Sequence, residues 1–70
     1  MKRNEVLIAA REKTGKTQKQ VAVKIGIAES AYQRYEHGRT IPSVVMGNII
    51  AKVLNSTSEH LWGYGTAKEL

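Results

Sequence analysis

Four polar side chains fall at helical spacing within six residues: Glu29, Ser30, Gln33 and Arg34. On one helix they form a single outer face, and each can read a base edge. An arginine fork can hold guanine O6 and N7, and a glutamine amide can pair with adenine. Serine can bond a base or a phosphate. Glu29 can accept from cytosine N4, or it can serve only to favour the helix dipole in the first turn. Ala28, just before them, offers a methyl group that could touch thymine. The bland reading of Gln33 and Arg34 is a solvated helix face. Gln18 opens the preceding helix, where free amides and the dipole attract an anion such as phosphate, unless it is only a solvated terminal glutamine. None of these residues suggests bond-making chemistry. The serines have no evident base and orienter. His37 and His60 lie far apart with no ligand-spaced neighbour, and cysteine is absent, so no metal site or cofactor is expected.

Two helices joined by a tight turn must position that face, over Thr17 to Gly38. Thr17 and Gln20 have the spacing of a capping box, hydroxyl to amide one way and glutamine side chain back the other. Val21, Ala22 and Ile25 make one apolar stripe, and Gly26 stands where a left-handed residue ends a helix. Ile25 and Ile27 then share one core across a single glycine, which sets a steep angle and projects the second helix outward. That second helix runs from Ala28 to His37, with Ala31, Tyr32 and Tyr35 inward.

The series Thr17-Gln18, Val21-Ala22, Ile25-Gly26-Ile27, Arg34 to Gly38, Pro42-Ser43 and Ile50 to Leu54 resembles the helix-turn-helix of the phage repressor and Cro family, also called Xre-type. The resemblance runs from about Leu7 to Trp62. It implies an all-α, five-helix repressor-like DNA-binding domain with a central helix-turn-helix. It also implies a transcriptional regulator, a repressor in type, from a bacterium or its prophage, docking helix 3 in the major groove as a homodimer on a near-palindrome. The base-contacting positions by this resemblance are Ala28, Glu29, Ser30, Gln33 and Arg34. Gln18, Lys19, His37, Arg39 and Thr40 are the phosphate-contacting positions, with Arg3 a weaker candidate. Arg11 and Glu36 match positions that form a partly buried ion pair in the family. The surface around helix 4, helix 5 and the tail, with Trp62 and Tyr64, is the expected dimer interface. The same fold also serves as a protein-interaction module of antitoxin or coactivator type, and that alternative stays open.

The remaining elements follow local signals. Asn4 caps a first helix whose inward residues are Leu7, Ala10 and Val6, ended by Thr14-Gly15. Lys16 stands where the family has an apolar residue. Ser43 caps a fourth helix to about Leu54, with Val44, Gly47, Ile50, Ala51 and Leu54 inward. Asn55 suits a left-handed C-terminal position. Thr57 caps a short fifth helix carrying Leu61 and Trp62. Tyr32 and Gly47 depart from the family in opposite senses, large for small and small for large. We therefore expect the ring to lie over the glycine at conserved volume.

Seventy residues make one domain, with a core over about 4–63 and a tail at 64–70. Residues 1–35 hold eight Lys/Arg and three Glu, whereas residues 36–70 hold three of each, so the whole net charge of +5 sits in the first half. That is the footprint of a polyanion binder, or of a lysine-rich solvated surface. The N-terminus lacks the apolar run of a signal peptide, and no stretch reaches the ~18 apolar residues of a membrane span. A cytoplasmic protein is expected, with no small-molecule ligand evident.

Overall fold

Asn4 ties three parts of the chain together. Its Oδ1 accepts from the Leu7 amide at 3.0 Å and so caps α1, Glu5–Lys13. Its own amide donates to the Glu36 carbonyl at 2.8 Å, and its Nδ2 donates to the Leu61 carbonyl at 3.0 Å. In the computed structural model, which describes residues 3–63, four more helices follow. These are α2 (Gln18–Ile25), α3 (Glu29–Glu36), α4 (Val44–Val53) and α5 (Ser58–Trp62). No strand occurs among the described residues. The domain is all-α. Tyr64 and the rest of the expected tail lie outside the described residues.

The caps explain most helix boundaries. Thr17 and Gln20 form the capping box, with bonds of 3.0 Å and 2.8 Å. Ser43 and Thr57 accept from the amides of Met46 and His60. Gly26 ends α2 at φ 81°, a left-handed conformation that costs glycine nothing, and the Ile27 amide then bonds back to the Ala22 carbonyl. Asn55 takes the left-handed position after α4 at φ 54°. Only α3 starts without a side-chain cap, because its N-cap is Ala28.

Leu7, Val21, Ala22, Tyr32, Ile50, Ala51, Leu54 and Leu61 form one buried cluster. It draws on all five helices: α2 packs on α3 and α4, α4 on α5, and α1 on α3 and α5. Two inward expectations fail. Val44 is exposed, because the buried side of α4 runs through Gly47, Ile50, Ala51 and Leu54, and Val44 sits at the edge of that arc. Val6 is also exposed, and Ile8 takes the buried place beside Leu7 in α1. Trp62 is half-buried and packs against the core. Tyr32 and Gly47 are both buried. The Tyr32 ring meets Tyr35 edge-on, at 6.4 Å between centroids and 88° between planes.

Candidate nucleic-acid interface

The α2–turn–α3 unit holds its outer face by a polar chain that starts inside the protein. Glu36, at the end of α3, is 1% exposed. Arg11 of α1 donates to it through Nε at 2.6 Å and through Nη2 at 3.3 Å. The third arm of the guanidinium, Nη1, donates to the Lys16 carbonyl at 3.0 Å. Gln18, the first residue of α2, donates from Nε2 to Glu36 Oε1 at 2.8 Å. Gln33 of α3 in turn donates from Nε2 to Gln18 Oε1 at 3.2 Å.

A carboxylate only accepts, so this order of donors is forced. The NH2 end of Gln18 must face Glu36, its oxygen must face outward, and Gln33 must present an N–H to it. Gln33 then keeps one N–H and its own oxygen unused. Gln18 therefore does not point into solvent, as an isolated helix start would suggest. It is half-buried and bridges α2 to α3.

Ionisation follows from the same contacts. Burial works to raise the Glu36 carboxyl. The bonds from Arg11 and Gln18, the nearby Tyr32 hydroxyl and the Arg11 charge together outweigh it, so the group stands below the usual carboxylate range. The bond to Glu36 pushes Arg11 up, against a smaller opposing effect of burial. The Tyr32 hydroxyl lies beside this pair and is buried with no partner at hydrogen-bonding geometry among the described residues. Burial first, and the neighbouring carboxylate next, push its ionisation far up.

The other residues singled out in the sequence sort by exposure. Ala28, Glu29, Ser30 and Arg34 are exposed along the start and outer side of α3, and Gln33 is half-buried beside them. Arg34 makes no side-chain bond among the described residues, so its fork is open to a ligand. Lys19, His37, Arg39 and Thr40 are also exposed. The Arg39 amide bonds the Arg34 carbonyl at 3.0 Å, which folds the loop after α3 back onto the helix end. Arg3 is exposed and lies 3.7 Å from Glu5. Among the described residues no cluster could hold a metal ion, and no helix is long and apolar enough to cross a membrane.

The link from Gln18 to Glu36 had no signal in the sequence around Gln18. The family resemblance names the acid and its arginine. The third partner appears only when α1, α2 and α3 are packed.

Comparison with curated proteins and with solved structures gives no significant match. A helix-turn-helix family model matches residues 7–61, which covers α2, the turn, α3 and most of the surrounding helices. With that match over most of its length, and an all-helical fold of five helices around the turn, the chain belongs to the Cro/C1-type helix-turn-helix family of DNA-binding regulators.

Proposed function

We propose that the chain is a sequence-specific regulator of transcription that docks α3 in the major groove of double-stranded DNA. It acts in the cytoplasm as a homodimer on a near-palindromic operator. The observation that carries this reading is the asymmetry of the α3 outer face. Gln33 is leashed to the interior through Gln18 and Glu36, whereas Arg34 beside it is exposed and unbonded. A tethered amide with one donor and one acceptor left suits adenine, and an open guanidinium suits guanine. Lys19, Arg39, Thr40 and His37 flank the face as phosphate contacts. Phosphate contacts set register and base contacts set sequence.

The test is titration of variants against selected and scrambled duplexes at one salt concentration. Arg34→Ala should cost about 1–3 kcal/mol on the selected duplex and relax one base position per half-site. On the scrambled duplex it should cost only the loss of one charge. Gln18→Ala should weaken both duplexes alike if the residue works as a phosphate contact. It is scored alongside thermal unfolding, since it also removes a bond to Glu36. Equal weakening of both duplexes by Arg34→Ala would show that α3 is not the reader.

A further inference from the structure

Three side chains of the α2–α3 unit form a bridge that leaves α3 and returns to it. Glu36 and Gln33 stand three apart on α3, so they are neighbours on one side of that helix. Gln18 of α2 bonds both. Its Nε2 donates to Glu36 Oε1 at 2.8 Å, and its Oε1 accepts from Gln33 Nε2 at 3.2 Å. The inner end is fixed. The Glu36 side chain is almost wholly buried, Arg11 donates to both its oxygens, and its backbone carbonyl accepts from the Asn4 amide. The outer end is open, since Gln33 is only half-buried and lies beside the exposed Ser30 and Arg34.

We propose that Gln18 and Glu36 are positioning residues that make Gln33 choose adenine over guanine, although neither of them touches a base. The inference rests on the reading of α3 as the helix in the major groove. An unrestrained glutamine amide can turn over, and its two orientations ask for different bases. With its oxygen and one N–H outward it matches adenine, which offers the N6 donor beside the N7 acceptor. With both N–H groups outward it matches guanine, whose N7 and O6 are both acceptors. Gln33 meets Gln18 at the Gln18 oxygen. Turning Gln33 over would therefore set oxygen against oxygen. Turning Gln18 over to relieve that would set its oxygen against the Glu36 carboxylate. Either way two acceptors meet with no proton between them, at a site where an unmet polar contact is costly.

A buried carboxylate thus sets the polarity of a side chain at the surface. This role differs from a phosphate contact in what its loss changes. A lost phosphate contact weakens every duplex alike, because it carries no sequence information. A lost tether frees Gln33 to turn, so the adenine duplex loses affinity and the guanine duplex does not. Arg34 supplies the comparison. It is exposed and makes no side-chain bond among the described residues, so its choice of base does not pass through Gln18.

The experiment uses the full chain and a duplex that the wild type selects from a random pool. Gln33→Ala first locates the base pair that Gln33 reads, as the position where preference is lost. Duplexes with adenine and with guanine there are then titrated with the wild type and with Gln18→Met at one salt concentration. Methionine keeps the side-chain length and leaves the Arg11–Glu36 pair in place, and circular dichroism checks the fold. The wild type should favour adenine by a factor of roughly 5–150, the range of one bidentate contact, and Gln18→Met should bring the ratio below about threefold. In a Gln33→Ala background Gln18→Met should change the ratio no further. The preference at the position read by Arg34 should stay as it is. Equal weakening of both duplexes by Gln18→Met overturns the proposal and returns Gln18 to a phosphate role. A wild-type preference for guanine at that position overturns it too. So does a Gln33→Ala variant that changes no position, and the regulator reading then rests on Arg34→Ala alone. A second measurement needs neither DNA nor a variant. By NMR of the free wild type, the side-chain NH2 protons of Gln18 and Gln33 should exchange with water more slowly than those of Gln20. The Gln20 side chain uses its oxygen in the capping box and donates no bond among the described residues. Equal exchange in all three glutamines overturns the tether.

Discussion

Glu36 is a carboxylate held almost entirely out of water, and it stays charged because Arg11 and Gln18 donate to it. Removing one partner of a buried pair leaves the other charge uncompensated. Arg11→Ala should therefore lower the unfolding free energy by about 3–5 kcal/mol, and replacing Arg11 and Glu36 together by apolar residues of similar volume should recover much of it. Urea unfolding of the single and double variants checks both statements. The pH dependence carries a sign. Glu36 ionises below its unfolded value in the native protein, so its contribution is fully present above the ordinary carboxylate range. It is lost as pH falls through the lower, folded value, from about pH 4 downward. Arg11→Ala removes the bond and the charge of the guanidinium and leaves Gln18 and Tyr32 to hold the carboxyl down. The loss of stability on acidification should therefore be smaller in that variant than in the wild type, read by urea unfolding at a series of pH values. The family resemblance makes the Arg11–Glu36 pair legible from the sequence. The inward turn of Gln18 is not legible, because a glutamine at a helix start has the same local sequence whether a carboxylate or water faces it.

At the scale of elements, short local rules account for where the helices begin and end. Thr17 with Gln20, Ser43, Thr57, Gly26 and Asn55 each act within four residues of themselves, and each is found in the conformation its type suggests. Ala28 is the exception, with extended backbone at φ −66° and ψ 147° and no side-chain oxygen to accept from α3. A serine fits that geometry. Ala28→Ser should stabilise the domain by about 0.5–2 kcal/mol. For a chain of this size that is a rise in Tm of roughly 4–8 °C per kcal/mol, read by thermal melting. Periodicity was less informative in α4 and α1. With apolar residues at Val44, Val45, Met46, Ile49 and Ile50, every side of α4 has a candidate for burial, and the sequence pattern cannot rank them. The choice belongs to α2 and α5, which pack against the side containing the small residues Gly47 and Ala51. In α1, Val6 and Ile8 differ in burial for a similar reason: Leu7 sits between them, and only the neighbouring helices decide which flank is covered.

Across the whole molecule, the excess of positive charge lies in residues 1–35, which supply α1, α2 and most of α3. If one chain neutralises about four phosphates, log affinity for DNA should fall with log salt at a slope near −3.6, doubled for a dimer. Filter binding or fluorescence anisotropy across a salt series measures it. A flat response from a folded chain would favour the protein-interaction alternative. The charge imbalance is plain in the sequence, as are the helix count and the turn. The way the two ends of the chain meet is not, since it depends on one asparagine reaching residues far along the sequence. The Asn4 amide bonds the end of α3, and its side chain bonds the end of α5 across 57 residues. Closing so long a loop costs more chain entropy than joining α2 to α3 across a single turn. The contact between Asn4 and Leu61 therefore carries the larger closure cost of the two. α5 has only five residues and α1 is held at its start by the same asparagine. Native-state hydrogen exchange should accordingly show the amides of α5 and α1 opening more readily than those of α2 and α3.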